Sequence, residues 1–538
     1  MKHPIKLMVI QAMTCLFLCG THAQVAYRDI KVDHKYLNIP VSMAAERQKL
    51  FFLLGGDTLL QASVRLGDGK IDYWVFKDMS AYQGRTIRLS FPKPLANMDK
   101  IHLADHFAGE DSLYQETNRP RYHFTTRRGW NNDPNGLIWT NGEYHLFYQH
   151  NPYETEWENM HWGHAVSPDL LHWKELDDAL FPDARGMMFS GSAVIDRTNT
   201  AGWGPNTLVA IYTSDSAGRE DQCLAYSHDQ GRTFVKYKGN PVWGGTRDPK
   251  VFWYAPRKEW VMALYKNAGV SILTSPDLRS WKEQDYVKGF YECPEFFELP
   301  IDGDKKNTRW VMYGGSGTYF IGKFDGRKFL PLGGKYRTHY GSLYAAQTYN
   351  DEPKGRRVQI GWGRIPQPGM PFNQMMLFPT ELSLRKTPEG IRLFSEPIAE
   401  LSRLQEDVIT LDSLAPGQIN DRLRSFGGGA IRLKGRIEFL DGTPVEITFG
   451  GKHLLTIDSD EVNGIAVPLN DPSKLIFDID LLIDRTSFEL FYQQGKINLT
   501  GSLPAADHGA FLEIRDNGGK WRAGKLQVSH LRSIWDPQ

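Results

Sequence analysis

The sequence predicts an all-β protein: a five-bladed β-propeller followed by a C-terminal β-sandwich and preceded by a small N-terminal β-domain. Three observations carry this. Helical periodicity is scarce, and short alternating or apolar runs such as Glu143–Tyr148, Thr207–Tyr212, Trp260–Leu264 and Trp310–Tyr313 sit between clusters of Gly, Pro, Asn and Asp. A phrase of a turn with Asp followed by an aromatic recurs as Ser167–Trp173, Ser227–Phe234, Ser275–Trp281 and Phe324–Phe329, its Asp positions 60, 48 and 48 residues apart. A unit of about 50 residues with several short strands is the size of a propeller blade, and each phrase fits the hairpin between a blade's outer strands. Finally, 538 residues exceed a single domain of about 100–200 residues.

Residues 1–23 place Lys2 and Lys6 ahead of the apolar run Leu7 to Cys19 and end in Thr21-His22-Ala23. This order reads as a cleavable export signal cut near Ala23, with a mature start near Gln24 and a periplasmic or secreted product. The run is too short for a membrane span, and Leu18 is too large for the residue before a lipidated cysteine. Two of the four cysteines fall in this leader, so Cys223 and Cys293 remain and no disulfide framework is expected.

Residues 24–118 alternate through Tyr36–Val41, Lys49–Leu54 and Thr86–Phe91, which fits a small β-domain. Residues 119–385 hold the repeats, and the four phrases plus the strand-rich stretch Ser342–Arg364 make five blades. Repetition of the terminal aromatic argues against unrelated hairpins of a sandwich. From 396 to 538, the runs Ile431–Leu440, Val445–Gly450, Leu475–Ile483 and Ser487–Tyr492 suggest the terminal sandwich.

Lys+Arg and Asp+Glu number 63 each, which excludes a strong nucleic-acid field and favours a neutral partner. Aromatics reach 12%, and their flat apolar faces with polar edges suit sugars as well as cores.

Three carboxylates precede a repeat phrase by similar distances. Asp133 lies in Trp130–Gly136, Asp248 in Arg247-Asp-Pro249 and Glu292 in Tyr291-Glu-Cys-Pro294, and they stand 36, 29 and 33 residues before the next phrase's Asp. All three therefore occupy early positions of their blades, where the first strand lines the central channel. They are expected to converge there, joined by Phe189–Ser192 from the second blade. Pro134 and Pro249 keep the preceding Asp out of the helical region, which fits a turn at each. Glycoside cleavage needs one carboxylate at the anomeric carbon and one acid to protonate the departing oxygen. Asp105, Asp169 and Asp277 read as turn-forming residues instead. His161 and His164 read as packing or hydrogen-bonding residues, and Cys293 beside Glu292 would be a nucleophile only with a base nearby.

Trp130–Gly136, Arg247–Pro249 and Glu292-Cys293, in this order and spacing, resemble the signatures of glycoside hydrolase family 32, the invertases, inulinases and levanases. The resemblance runs from about Tyr122 to Gln538 and includes Trp162–Trp173, Phe189–Ser192, Tyr344–Tyr349 and Leu482–Phe491. It implies a five-bladed propeller with a β-sandwich, retaining hydrolysis of β-fructofuranosides, and neither metal nor organic cofactor. By the same resemblance Asp133 is the nucleophile, Glu292 the acid/base and Asp248 the transition-state stabiliser. Trp130, Asn132, Gln149, Trp157, Phe189, Ser190, Arg247, Tyr344 and Trp362 would line the fructose pocket. The extra N-terminal domain looks like that of fructanases from gut Bacteroidetes. Asn131 departs from a common Met, and Ser342-Leu343-Tyr344 from a frequent Asp-Phe-Tyr on the leaving-group side.

The leading expectation is release of fructose from levan or inulin chains, with sucrose a further candidate. Aromatic crowding by Trp130, Trp157, Trp162, Phe189 and Trp362, together with the run Asn151–Asn159 as one wall, suggests a closed pocket and exo action. Endo cleavage, an inverting arabinanase or xylosidase type of propeller, and a non-catalytic glycan-binding propeller are the alternatives. Linkage preference and oligomeric state stay open at this point.

Overall fold

The computed structural model describes residues 25–536 except 68, 413, 442, 459, 468–475, 505–508, 517 and 519. The leader expected over residues 1–23 lies outside the described residues. The described chain is almost entirely β, with one α-helix, Pro416–Phe426. No described helix is long and apolar enough to cross a membrane.

The N-terminal region forms two sheets. One has four strands in the order Ala26–Lys31, Thr86–Phe91, Gln48–Leu54, Asp57–Val64; the other sets Tyr73–Asp78, Tyr36–Val41 and His102–Ala104 side by side. Period-two alternation builds their shared core, for along Thr86–Phe91 only Ile87, Leu89 and Phe91 are fully buried, beside Leu37, Ile39, Phe52 and Val75. Each such side chain contributes about 1.5–3 kcal/mol when buried.

Next come three sheets of antiparallel strands. The first runs Gly129–Thr140, Glu143–Asn151, His161–Ser167, Lys174–Glu175; the second begins Met187–Asp196, Thr207–Ser216, Arg219–Ser227; the third begins Arg247–Tyr254, Glu259–Lys266, Gly269–Ser275. Two further antiparallel sets, starting at Glu295–Ile301 and Leu343–Thr348, read as one ten-stranded sheet because a single parallel pairing, Ile301 with Leu384, joins them. Thr380–Thr387 belongs to that sheet and runs through residue 385, where the sequence had placed the end of the repeats. Asn141-Gly142 shows why a hairpin forms where it does: both residues have positive φ (50° and 85°), the tight turn whose twist matches paired strands.

The recurring phrases lie between the outer strands of their sheets. Asp169, Asp277 and Asp325 each accept two backbone N–H bonds from the residues that follow, so they fasten turns. The first strands meet around a common axis and are cross-linked there. Gln347 bonds Leu137 N and Gly191 O (both 2.9 Å), Asn350 Nδ2 reaches Ala193 O and Val251 O, and Lys250 pairs with Glu295 at 3.0 Å. Phe372–Asn373 returns to pair in parallel with Gly129-Trp130, tying the end of the ring to its beginning.

The C-terminal region stacks a seven-stranded and a five-stranded sheet over an apolar core that includes Leu433, Ile447, Phe477 and Leu526. His339–Gly341 adds a parallel edge strand to the larger sheet from the ring side. Beneath this junction His123 bonds Asp484 (2.8 Å) and Glu489 (2.7 Å). Burial alone would lower its pKa, but the two carboxylates hold it up to about 9.

Candidate active site

Asp133 and Asp248 lie inside strands, where the sequence had suggested turns. The strand pairing slips between Asn131 and Pro134, between Met188 and Gly191, between Arg247 and Lys250, and between Tyr344 and Gln347. Four first strands thus carry a bulge at the same end of the ring, and a bulge re-aims the side chains beside it. Proline, which cannot donate to a ladder, is tolerated at such interruptions, which accounts for Pro134 and Pro249. Glu292 and Cys293 stand just before the strand Glu295–Ile301. Asp248, Glu292, Cys293 and Ala345 all have positive φ, between 43° and 62°. Strain of about 1–3 kcal/mol per residue persists only where the surroundings enforce it. Gly191 permits one of these bulges, because a Cβ there would sit 2.0 Å from Ile211 O.

These devices bring the three carboxylates together. Asp133 Oδ2 accepts from Ser190 Oγ (2.7 Å) and from Cys293 Sγ (3.3 Å), and its Oδ1 accepts from Asn132 Nδ2 (3.1 Å). Asp248 Oδ2 accepts from the Cys293 backbone N–H (3.0 Å), and the same thiol lies 3.6 Å from it. Glu292 is gripped differently: Arg247 donates to Oε1 at 2.6 Å and the Tyr344 hydroxyl to Oε2 at 2.7 Å. Cys293 therefore bridges two acids while its neighbour in sequence is the third.

Burial raises the Asp133 pKa, opposed by the bonds from Ser190, Asn132 and Cys293. Burial and then the Asp133 charge push Asp248 further, to about 7. The Cys293 thiol is driven well above its usual range by burial and the adjacent carboxylates, so it stays a protonated donor and no nucleophile. Tyr344 is likewise pushed up by burial and by Glu292, which keeps it a donor. Arg247 is held protonated by Asp248, Glu292 and Glu220, against the effect of burial.

Aromatic rings surround this cluster. Trp130 meets Trp362 edge to face at 6.1 Å, Trp362 meets Tyr344 likewise, and Trp157 meets Phe189 at 5.9 Å. Trp130 Nε1 orients Asn132 (2.8 Å), and Gln149 donates to Met188 O (2.9 Å) at the end of the Phe189 strand. Trp162 belongs elsewhere: it is fully buried among Phe147, Met188 and Tyr212, a core residue where the sequence had counted it with the pocket. Its ring fills space between two sheets, and only its Nε1 points siteward, to Phe189 O. His161 and His164 are buried too, His164 against His145 at 3.0 Å.

Three supporting residues escaped sequence reasoning. Glu220 braces Arg247 at 2.9 Å, Tyr265 lies under its guanidinium at 4.8 Å, and Gln374 accepts from Trp362 Nε1 at 3.1 Å. None sits in a motif, so no local signal marks them. A cavity of about 620 Å³ between the N-terminal sheets and the first ring sheet contains none of the three acids.

Comparison with known proteins agrees with this geometry. Residues 123–397 match the glycosyl hydrolases family 32 N-terminal domain. Over 494 residues the chain is 35% identical to a levanase of Bacillus subtilis (strain 168), covering 80% of this chain and 72% of that protein. Over 517 residues it is 30% identical to an extracellular exo-inulinase of Aspergillus niger, covering 79% and 96%. The crystal structure of exo-inulinase from Aspergillus awamori superposes with a TM-score of 0.67 at 26% identity, over 78% of this chain and 100% of that one. With the family matched across the ring and the similarity running on through the terminal sheets, this chain belongs to glycosyl hydrolase family 32.

Proposed function

We propose that this protein is an exported fructan β-fructosidase that releases fructose from chain ends with retention of configuration. In this reading Asp133 attacks the anomeric carbon, C2 of the terminal fructosyl unit, as its bond to the leaving oxygen breaks. Glu292 gives its proton to that oxygen. The Glu292 carboxylate then takes a proton from water, whose oxygen attacks C2 and displaces Asp133. Asp248 would hold the fructosyl hydroxyls, while Arg247 and Tyr344 aim Glu292. Trp130, Asn132, Gln149, Trp157, Phe189, Ser190 and Trp362 would enclose the sugar.

The observation that carries the proposal is the pairing of two unlike carboxylate environments. Asp133 is half-buried and fixed by the uncharged donors Ser190, Asn132 and Cys293, whereas Glu292, with its side chain 24% exposed, is held by the Arg247 cation and Tyr344. A nucleophile must be held in line with C2, as the bonds to Asp133 hold it, and the acid/base must reach both the departing oxygen and the incoming water, which the solvent-facing Glu292 can do. The names of the relatives, levanase and exo-inulinase, support a fructan substrate. Aromatics on two sides of the acids support a pocket that takes one terminal sugar.

The same reading counts five blades, with the ten-stranded sheet as two blades bridged at Ile301 and Leu384. It assigns residues 24–118 to the N-terminal domain, 119–385 to the propeller and 396–538 to the sandwich, after a leader over 1–23. Digestion of levan and inulin, followed by chromatography and by NMR of the first-formed sugar, tests the function. Free β-fructose from the outset is the expected result. An early ladder of oligosaccharides would make the enzyme endo-acting, and initial α-fructose would overturn retention.

A further inference from the structure

We propose that the N-terminal β-domain is a positioning element of the fructose pocket, fixing the segment that carries Trp157 through Arg47, Arg65 and Tyr73. The inference rests on the pocket reading above and adds residues that lie in none of the family's motifs.

The segment Asn151–Asn159 leaves the first ring sheet after Glu143–Asn151 and has no ladder of its own. Its backbone must find partners elsewhere: Asn151 serves Tyr153 N and Glu156 O, Asn373 donates to Thr155 O, and the N-terminal sheets hold the segment through Asn159, Tyr73 and Tyr153. Asn159 pairs with the strand Asp57–Val64 as a further backbone would, accepting from Ser63 N (2.6 Å) and donating to Ser63 O (2.9 Å). Tyr73 Oη accepts from Thr155 N at 3.0 Å. Tyr153 is buried in the N-terminal core beside the Phe52 and Ile87 cluster.

Charge decides which way the segment faces. Glu154, Glu156 and Glu158 all turn toward Arg47 and Arg65. Both guanidiniums bond Glu154, whose side chain is fully buried, and both reach Glu156 Oε2, at 2.8 and 2.7 Å; Arg47 also approaches Glu158 at 3.8 Å. Trp157, between these glutamates, turns the opposite way and lies against Phe189. Three carboxylates within five residues repel one another unless cations neutralise them, and forked guanidiniums do so with fixed geometry. The arginines thus hold the glutamates on one side and by that act hold Trp157 on the other. Trp157 is 44% exposed, so little packing beyond Phe189 restrains its ring. Asp133 and Glu292, by contrast, are held by Ser190, Arg247 and Tyr344. Loosening the segment should therefore weaken sugar binding while sparing chemistry.

The test is steady-state kinetics on a short fructo-oligosaccharide with Arg47→Ala/Arg65→Ala, with the milder Tyr73→Phe, and with each combined with Trp157→Ala. Both N-terminal variants should raise KM, the arginine pair by roughly three- to tenfold, with kcat within about twofold of the parent, as when a remote change misplaces a binding group. In the Trp157→Ala background that rise should vanish, since the ring being positioned is gone. Arg47→Lys/Arg65→Lys should recover part of the loss. A purely structural role would add its effect equally in both backgrounds. Unchanged KM, or an equal rise with and without Trp157, overturns the inference. If Trp157→Ala itself leaves KM unaltered, the pocket reading fails and the inference with it; if Arg47→Ala/Arg65→Ala does not fold, Tyr73→Phe decides the matter by the same criterion.

Discussion

Replacing Asp248 by Asn should make the protein more stable above neutral pH and nearly inactive. Asp248 is 7% exposed, and its pKa rises from 3.8 to about 7, first through burial and then through the Asp133 charge. An acid whose folded pKa exceeds its unfolded value binds its proton more tightly in the native state. Stability is therefore lost as pH climbs from about 4 through about 7, and the full penalty stands above that window. At 1.36 kcal/mol per pKa unit the penalty is on the order of 4 kcal/mol at pH 8 and about 2 kcal/mol at pH 5. Asparagine has the same shape, carries no charge, and keeps an oxygen to accept the Cys293 N–H that Asp248 now takes at 3.0 Å. The variant should thus resist urea better than the parent at both pH values, by about twice the margin at pH 8. Its kcat should fall by about 10²–10³, the usual cost of losing one preorganised contact to the transition state. Unfolding followed by tryptophan fluorescence at pH 5 and pH 8 reads the first effect. An equal gain at the two pH values, or none, would refute the claim that a raised carboxyl is buried here.

Two further substitutions separate the roles of the other acids. Asp133→Asn should fold normally, because the Ser190 hydroxyl can turn to accept from the new amide, yet lose about 10⁴-fold or more in kcat since no fructosyl ester can form; near-parental turnover would remove Asp133 as nucleophile. Glu292→Ala should depress kcat on fructo-oligosaccharides far more than on an activated aryl fructoside, whose leaving group needs no proton. Equal losses on both substrates would contradict the acid/base assignment.

The sequence alone determined the all-β character, the repeat and the identity of the three acids, because each depends on local pattern. Alternation along Thr86–Phe91, the turn-forming Asp of each phrase, and the spacing of Asp133, Asp248 and Glu292 ahead of those phrases all survive without knowledge of which strand pairs with which. Repetition does the rest, since equivalent positions in successive units of a ring must face the same axis. Trp130, Asn132, Phe189, Ser190, Arg247, Tyr344 and Trp362 were expected near the acids through the family resemblance of their motifs instead.

Tertiary structure decided what local pattern does not encode. Asp133 and Asp248 sit at bulges in strands and not in turns, because a bulge is a mismatch between two strands and neither strand specifies it alone. Trp162 and Trp157 look alike in sequence, five residues apart; packing between two sheets buries the first, and the glutamates flanking the second turn it outward. The Cys293 thiol became a bridge between Asp133 and Asp248 only when positive φ at Glu292 and Cys293 brought it between them. Arg47 and Arg65 lie about a hundred residues before the glutamates they hold, a separation at which periodicity and spacing carry no information and only the folded charges and distances do.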